Sequence, residues 1–392
     1  MVPDSLPHSL PSPTTPRLAP SCGPASTAAP GTTAVTVSRD GSKVFVTGSS
    51  WGNGTNRDYA TVAYNGATGQ QLWATRYNGP GNAGDDPAAI AADPDGKTVF
   101  VTGYSQGAGT GRDYTTIAYD AATGKQRWLS RYNNPRRNGY DAASALAISP
   151  DGSRLYVTGD SIGRSSDADY ATVAYSTASG RQQWVARYNG HANNIDFARS
   201  VAVSPDGSKV FVTGSSWGTI SRTDYATIAY KAATGDPLWT RRYGGRNFDG
   251  AVAVAVSPRR NAVYVTGTIY GGLTHRDIAT VGYNATTGAP LWVSRFDGDH
   301  KGDIPASLAV SPNGASVIIA GSSAAGTTPT QSYRFLVVAY GAVGGTKLWS
   351  TRLLQDSAPD DTAAAVVVSL DDRTVFATGH KKHVMTTVAI RL

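Results

Sequence analysis

The chain has 392 residues, of which 44 are Gly and 21 are Pro, only 16% are charged, and the formal net charge is +7. This composition is typical of a loop-rich all-β protein and excludes a mainly helical or a disordered chain. No run of about 18 apolar residues predicts a membrane span. The scattered Lys and Arg predict a solvated surface, so we expect no nucleic-acid partner.

Residues 1–30 form a leader that we predict to be disordered. The segment is rich in Pro and Ser and lacks the apolar stretch of roughly 7–15 residues that marks a secretory signal. Cys22, the only cysteine of the chain, lies in it, so no disulfide, Cys-based zinc site or redox pair can form within the chain. We expect residues 31–392 to fold as one repeat domain.

The rest of the chain repeats itself at intervals of roughly 55 residues. Seven copies are marked by a Val-Thr-Gly triplet or a degenerate form of it, beginning at Val46, Val101, Val157, Val212, Val265, Ile319 and Ala377. A complete copy predicts four short strands, a to d, with an Asp-Gly turn between a and b and a Thr-Gly turn between c and d. Four antiparallel strands at this period predict one blade of a β-propeller, so the fold prediction is an all-β, seven-bladed propeller.

The fourth strand of each complete copy carries a tryptophan. At a fixed position in successive blades, such a residue is expected to wedge between neighbouring blades, burying roughly 150–250 Å². We therefore assign a structural, blade-docking role to Trp73, Trp128, Trp184, Trp239, Trp292 and Trp349.

The seventh copy has strands a, b and c, and no obvious C-terminal d strand. A ring closes when the N-terminus supplies the missing strand, and the spacing places the expected tryptophan near Leu18. That region has neither a Trp nor a strand pattern. Either a degenerate strand closes the ring, or the last blade has three strands, or the natural N-terminus differs from the one given.

The hairpins resemble the repeats of the PQQ-like, quinoprotein-type β-propeller family. The residues that carry the resemblance are YNGATGQQLW (64–73), YDAATGKQRW (119–128) and YNATTGAPLW (283–292). The resemblance covers residues 31–392 and implies the propeller fold. It also implies export, because the family includes non-catalytic bacterial envelope proteins alongside quinoprotein dehydrogenases, so we expect an extracellular or cell-envelope location.

The dehydrogenases of this family generally have eight blades, a vicinal Cys pair against the quinone and a Glu/Asn/Asp calcium set. This chain has seven copies and one Cys in the leader. PQQ with calcium is therefore disfavoured, and we predict no cofactor and no metal. The chain looks more similar to the non-catalytic exported branch.

Two sets of residues are candidates for ligand binding on the face that carries the b–c and d–a connections. The first set contains aromatic residues of the b–c loops: Trp51, Tyr104, Trp217 and Tyr270. Two roles are open for them: they stack on a flat ligand, or each covers the end of its own blade. The second set contains an acid that recurs before strand a and is expected near the mouth of the central channel: Asp85, Asp141, Asp196, Asp249, Asp303 and Asp361.

A structural explanation competes with the second set. An Arg recurs three residues after each tryptophan, and one Arg and one Asp per blade either pair with each other or cap backbone N–H groups. A feature present in every blade is more often scaffold than site, because catalysis needs broken symmetry.

No catalytic residue is predicted, because the chain has no nucleophile elbow, zinc-protease helix or phosphate-binding loop. We predict a non-enzymatic monomeric scaffold that binds a protein or small ligand on its loop face or at the channel mouth. Two alternatives stay open: an enzyme at the channel mouth, either a PQQ-like oxidoreductase or a lyase or hydrolase, and a glycan-binding lectin.

Overall fold

The computed structural model describes residues 31–52, 54–134, 139–163, 167–220, 222–245, 247–270, 275–298, 302–325, 332–353, 361–381 and 384–392. Every regular element within these ranges is a β-strand, which confirms the predicted all-β class. No helix able to span a membrane occurs in the described part of the chain. Residues 1–30, with Cys22 and the closing strand expected near Leu18, lie outside the described residues.

The strands follow one another in consecutive groups, called blades 1 to 7 below. Blade 1 contains β1 (Gly31–Val37), β2 (Lys43–Gly52), β3 (Asn56–Asn65) and β4 (Gln71–Tyr77). Blade 2 contains β5 (Asp85–Ala92), β6 (Thr98–Gly107), β7 (Gly111–Asp120) and β8 (Gln126–Tyr132). Blade 3 contains β9 (Gly139–Ile148), β10 (Arg154–Ile162), β11 (Ala168–Ser176) and β12 (Gln182–Tyr188).

The later blades continue the pattern. Blade 4 contains β13 (Asp196–Val203), β14 (Lys209–Trp217), β15 (Thr223–Lys231) and β16 (Pro237–Tyr243). Blade 5 contains β17 (Gly250–Val256), β18 (Ala262–Tyr270), β19 (Arg276–Asn284) and β20 (Pro290–Phe296). Blade 6 contains β21 (Asp303–Val310), β22 (Ser316–Ala325), β23 (Ser332–Gly341) and β24 (Lys347–Leu353), and blade 7 contains β25 (Thr362–Val368), β26 (Thr374–Lys381) and β27 (Val384–Arg391).

Each blade is an antiparallel meander in which neighbours along the chain pair with each other. The first strand of one blade lies beside the first strand of the next, so the first strands are innermost. Blades 2 and 3 are in addition joined by a short parallel pairing of β7 with β9, at Gly111 with Gly139 and Arg112 with Tyr140. The antiparallel four-stranded blades arranged in sequence confirm the propeller architecture.

The innermost strand of most blades contains a bulge near its start. In blade 4 the register between β13 and β14 shifts between Ala198 and Ser200, and the strand begins at Asp196. A bulge inserts an extra residue and increases the local twist. The strand predicted from alternation, Ser200 to Pro205, is therefore only the part beyond the bulge.

The apolar core lies between blades rather than within one blade. Each of six buried clusters combines residues of two consecutive blades; Phe45 and Trp73 of blade 1, for example, pack with Ile90 and Tyr119 of blade 2. Because each blade packs on both faces, the third strands are buried on both sides, as in β15, where Tyr225 to Tyr230 are all buried. Stacking of neighbours is what buries a propeller blade.

The seam between blade 7 and blade 1 is the exception. Val35 is 60% exposed, whereas Ile90 at the same position of blade 2 is 8% exposed. Phe376 is 41% exposed, whereas its equivalent Phe45 is fully buried. Within the described residues, the two faces that meet in a closed propeller are therefore left uncovered, and closure of the ring stays a prediction.

Candidate functional site

The blades present two different ends. At one end lie the tight turns between the first two and the last two strands, such as Ser204 to Lys209, where Gly207 has a φ of +69° and Asp206 accepts bonds from Ser204 and Ser208. At the other end, the connections from the second to the third strand lie beside those that lead into the next blade, as shown by the bond from the Gly81 N–H to the Gln106 carbonyl, 3.1 Å. We call this second end the loop face.

The six recurring acids lie at the loop-face end of the innermost strands, and they are buried there. None is more than 2% exposed: Asp85, Asp141, Asp196, Asp249, Asp303 and Asp361. Within the described residues, all of these carboxylates except that of Asp361 accept a hydrogen bond from the connection that precedes the strand, with Gly79 N at 2.5 Å from Asp85 Oδ2 and Gly190 N at 2.5 Å from Asp196 Oδ2.

The second oxygen of these carboxylates bonds to the end of the second strand in three blades. The donors are the N–H groups of Gln106, Trp217 and Tyr270, 2.9–3.2 Å from Asp85, Asp196 and Asp249 respectively. The acids thus cap backbone N–H groups inside their own blades, which is the structural alternative considered for them. Burial of these side chains favours the structural alternative, and ligand binding by the six acids stays a prediction.

Burial also changes the acidity of several of these groups. It raises the pKa of Asp85, Asp141 and Asp196, against the opposing effect of the N–H and hydroxyl donors around them. For Asp303, burial raises the pKa to about 6, although Ser323, Gly298 N and Arg352 all act to lower it. Desolvation disfavours the charged form of a carboxyl group.

In blades 1 to 4, the arginine that follows the tryptophan pairs with a different acid. Arg131 lies 2.8 Å from Asp113, and Arg242 lies 2.9 Å from Asp224, where each Asp stands near the start of the third strand. Arg131 also donates to the Tyr77 hydroxyl of the preceding blade, 3.0 Å. These pairs join strands and blades, so the Arg recurrence is part of the scaffold.

One acid cluster breaks the repeat. Asp277, Asp297 and Asp303 each place a carboxylate oxygen within 4.8 Å of the others. Asp297 has no acidic counterpart in blades 1 to 4, where Asn78, Asn133, Asn189 and Gly244 occupy its position. Carboxylate oxygens are ligands for hard cations, but the guanidinium of Arg352 packs against Gly298 beside the cluster and already supplies positive charge there.

The predicted aromatic residues occupy the loop face in two different ways. Trp51 is 74% exposed at the end of β2. The Tyr104 hydroxyl donates a hydrogen bond to Asp86. The same carboxylate accepts hydrogen bonds from Ser49 Oγ at 2.6 Å and from Arg57 Nη2 at 3.0 Å. Burial and the bond to Asp86 raise the pKa of Tyr104 to about 12. This network joins blade 1 to blade 2.

Arginine–aromatic pairs stand at three places on the loop face. Arg112 lies 4.2 Å from the ring centroid of Tyr104 and 5.3 Å from that of Tyr140. Arg276 lies 5.7 Å from the ring of Tyr270 and donates Nε to its hydroxyl, 3.2 Å. A cation over an aromatic face is attracted by the ring quadrupole.

The third pair lies at the junction of blades 4 and 5. Arg222 stands 4.6 Å from the ring of Phe248, and Trp217 meets the same ring edge-on at 5.9 Å. A cleft of about 280 Å³ opens nearby, between His191 on one connection and Thr219 and Ile220 on another. This junction therefore combines an arginine–aromatic pair with a cleft on the loop face.

Sequence reasoning identified Trp51, Tyr104, Trp217 and Tyr270 but missed their partners. The missed side chains are Arg57, Asp86, Arg112, Tyr140, Arg222, Phe248 and Arg276. A signal for three of them was present: Arg precedes the Asp-Tyr or Asp-Ile pair of the third strand at Arg57, Arg112 and Arg276. The tryptophans of the fourth strands lie between blades, and five donate their indole N–H to a carbonyl of the next blade.

Comparisons with known proteins agree with the propeller architecture. The family model for "outer membrane protein assembly factor BamB" matches residues 23–162, 57–227 and 172–391. No curated protein gives a significant match to the sequence.

Solved structures with a similar fold have very different sequences. Hydrazine synthase of Kuenenia stuttgartiensis has a TM-score of 0.59 at 16% identity, covering 93% of this chain and 97% of its own. The β-propeller domain of Cps50 (Swd1) from Myceliophteria thermophila has a TM-score of 0.55 at 9% identity, covering 92% and 97%. Sqt1 of Chaetomium thermophilum, bound to the N-terminus of ribosomal protein L10, has a TM-score of 0.55 at 14% identity, covering 88% and 80%. These structures show the fold alone.

Proposed function

This chain belongs to the PQQ-like repeat family described as outer membrane protein assembly factor BamB, and we propose that it is a non-enzymatic scaffold that binds a protein or small ligand on its loop face. The observation that carries the proposal is Trp51, an indole 74% exposed on the face where the blades differ from one another. Aromatic residues that stay exposed on a rigid scaffold are typical of binding surfaces.

The location of the other candidate residues supports the same surface. Trp217, Tyr104 and Tyr270 stand on the same face, each beside an arginine or within a polar network. Five of the six acids accept backbone N–H groups, and all six are buried, so we place the ligand at the aromatic residues rather than at the acids. By family we further propose a cell-envelope location, no bound cofactor and a monomeric state.

The test compares ligand binding by the full chain with binding by Trp51→Ala. The matched control is Leu370→Ala, which removes a side chain that is 93% exposed in a turn at the opposite end of blade 7. Peptides from envelope proteins and a glycan array are the two ligand sets. We expect bound ligands to be lost with Trp51→Ala and kept with Leu370→Ala, and equal binding by both variants would reject the loop face as the site.

The same experiment separates the alternatives. Binding restricted to glycans and lost in the Trp51→Ala/Trp217→Ala double variant would make the protein a lectin. A titration with PQQ and calcium, followed by absorbance, tests the oxidoreductase. We expect no spectral change, and a saturable one would replace the scaffold by the quinoprotein alternative.

A further inference from the structure

We propose that Arg112 is the centre of an oxyanion subsite at the junction of blades 2 and 3, where it binds a carboxylate or phosphate group of the ligand. The subsite consists of Arg112, Tyr104 and Tyr140. The inference rests on the proposed function, because it names the chemistry of what the loop face would hold.

The guanidinium group of Arg112 lies between two aromatic rings. Its central carbon lies 4.2 Å from the ring centroid of Tyr104 and 5.3 Å from that of Tyr140, and these rings belong to different blades. Contact with two rings limits the rotation of a long, flexible side chain. A guanidinium group that is already oriented loses less entropy when it forms hydrogen bonds.

The backbone fixes this arrangement. β7 and β9 pair in parallel, and the pairing places Arg112 directly beside Tyr140. Gly111 has a φ of +79°, and a Cβ there would lie 2.5 Å from the Gly139 carbonyl oxygen, so the pairing needs glycine at this position. Elsewhere in the described residues, parallel pairing between consecutive blades consists of a single β-bridge, between Thr223 and Phe248.

Arg112 also differs from nearby arginines in its charge pairing. Arg57 lies 3.0 Å from Asp86, and Arg131 lies 2.8 Å from Asp113. Among the described residues, no carboxylate lies within ion-pair distance of Arg112. Asp86, the acid that accepts the Tyr104 hydroxyl, also accepts bonds from Ser49 and Arg57 of blade 1.

An oriented, half-buried guanidinium group without a carboxylate partner matches one class of ligand. Its N–H groups form a planar fork that binds carboxylate or phosphate oxygens in pairs, and such charge-assisted bonds are stronger than neutral ones. A similar contact occurs in blade 4, where the guanidinium carbon of Arg222 lies 4.6 Å from the ring centroid of Phe248.

The test is calorimetric titration of the full chain with inorganic phosphate and, separately, citrate, in chloride buffers of constant ionic strength. The variants are Arg112→Leu and Arg112→Lys. The matched control is Arg39→Leu, which removes the same charge from an exposed turn at the opposite end of blade 1. Unchanged melting temperatures establish that each variant is folded.

We expect saturable binding of at least one anion, weakened about tenfold or more by Arg112→Leu, partly retained by Arg112→Lys and unchanged by Arg39→Leu. Binding of citrate would identify the ligand group as a carboxylate, and binding of inorganic phosphate would identify it as a phosphate. Failure of both anions to bind, or equal losses in Arg112→Leu and Arg39→Leu, would overturn the subsite. A neutral ligand that needs Trp51 and ignores Arg112 would overturn it as well, while leaving the proposed function intact.

Discussion

The role of the recurring acids is decided residue by residue, and Asp85 is the clearest case. Its two oxygens accept the N–H groups of Gly79 and Gln106, and the side chain is fully buried. We predict that Asp85→Ala lowers the free energy of unfolding by roughly 1–3 kcal/mol, because two buried donors lose their acceptor. Urea unfolding followed by circular dichroism measures the change.

The control for this prediction is Asp95→Ala, which removes a carboxylate from an exposed turn, where it accepts the Lys97 N–H and forms an exposed ion pair with the Lys97 ammonium group. A small effect at Asp95 and a large one at Asp85 would establish the structural role. If Asp85→Ala left stability unchanged and reduced ligand binding instead, the channel-mouth prediction for the six acids would be supported.

Asp160 is a second informative residue, because other blades have serine at its position, as at Ser49 and Ser215. Its side chain is 4% exposed. Burial raises its pKa to about 7, despite the nearby charge of Arg199 and the N–H of Ala198.

The folded protein therefore holds a proton on Asp160 between about pH 4 and 7 that the unfolded chain releases. The contribution of Asp160 to stability falls as pH rises through this window, by up to about 4 kcal/mol. We predict that Asp160→Ser flattens the pH dependence of the melting temperature. The increase in melting temperature is expected to be largest above pH 7. A parallel upward shift at all pH values would show that the carboxyl group does not titrate in this range, and Asp95→Ser controls for loss of one acid.

The sequence predicted which residues recur but not which of them meet. For the arginine after each tryptophan and the acid before the innermost strand, the sequence left two alternatives open: that they pair with each other, or that they cap backbone N–H groups. Register pairs the arginine with a different acid: Arg242 stands opposite Ala226, so Asp224, two residues away on the same side of β15, is its diagonal neighbour. Cross-strand neighbours follow from pairing register, which spacing within one repeat does not reveal.

At the scale of the elements, the tryptophan of the fourth strand links one blade to the next. Trp184 donates its indole N–H to Ala232 at 3.0 Å and packs on Tyr156 and Tyr230 at 5.7 and 6.4 Å between ring centroids. We predict that Trp184→Ala lowers the free energy of unfolding by about 3–5 kcal/mol. Trp349 is less completely buried on blade 7, so Trp349→Ala has a smaller expected effect, measured by the same denaturant series.

The order of these two effects is the decisive outcome. Similar losses for both variants would mean that Trp349 is covered as fully as Trp184, and thus that a segment outside the described residues completes the last blade.

The elements themselves were largely predictable, and the exceptions have a physical cause. Alternation and Gly turns located the second, third and fourth strands, because a buried meander requires both. The innermost strands begin earlier than predicted, at Asp196 in blade 4, because the bulge after Ala198 interrupts the alternation. The parallel pairing at Arg112 was not predictable from the sequence. It depends on how closely blades 2 and 3 approach each other, and no local sequence pattern specifies that distance.

At the scale of the whole molecule, stability is shared between neighbouring blades. Six apolar clusters join consecutive blades from 1–2 to 6–7, while Val35 and Phe376 on the two sides of the seam stay exposed within the described structure. In arrays stabilised mainly by contacts between neighbours, a unit with one neighbour opens more easily than a unit with two.

We therefore predict that amide hydrogen exchange is fastest in β1 and in β25 to β27, and slowest in β9 to β20, where every blade has two packed neighbours. Exchange measured by mass spectrometry on peptides from each blade gives the profile, and β14 and β26, the second strands of blades 4 and 7, are the matched pair. Equal protection of the β14 and β26 amides would contradict an open seam. Slow exchange in β26 would require that other residues pack over the exposed Phe376. Such a result would mean that blade 1 or a segment outside the described residues covers that surface, and repeating the measurement after removal of residues 1–30 would identify whether this segment supplies the cover.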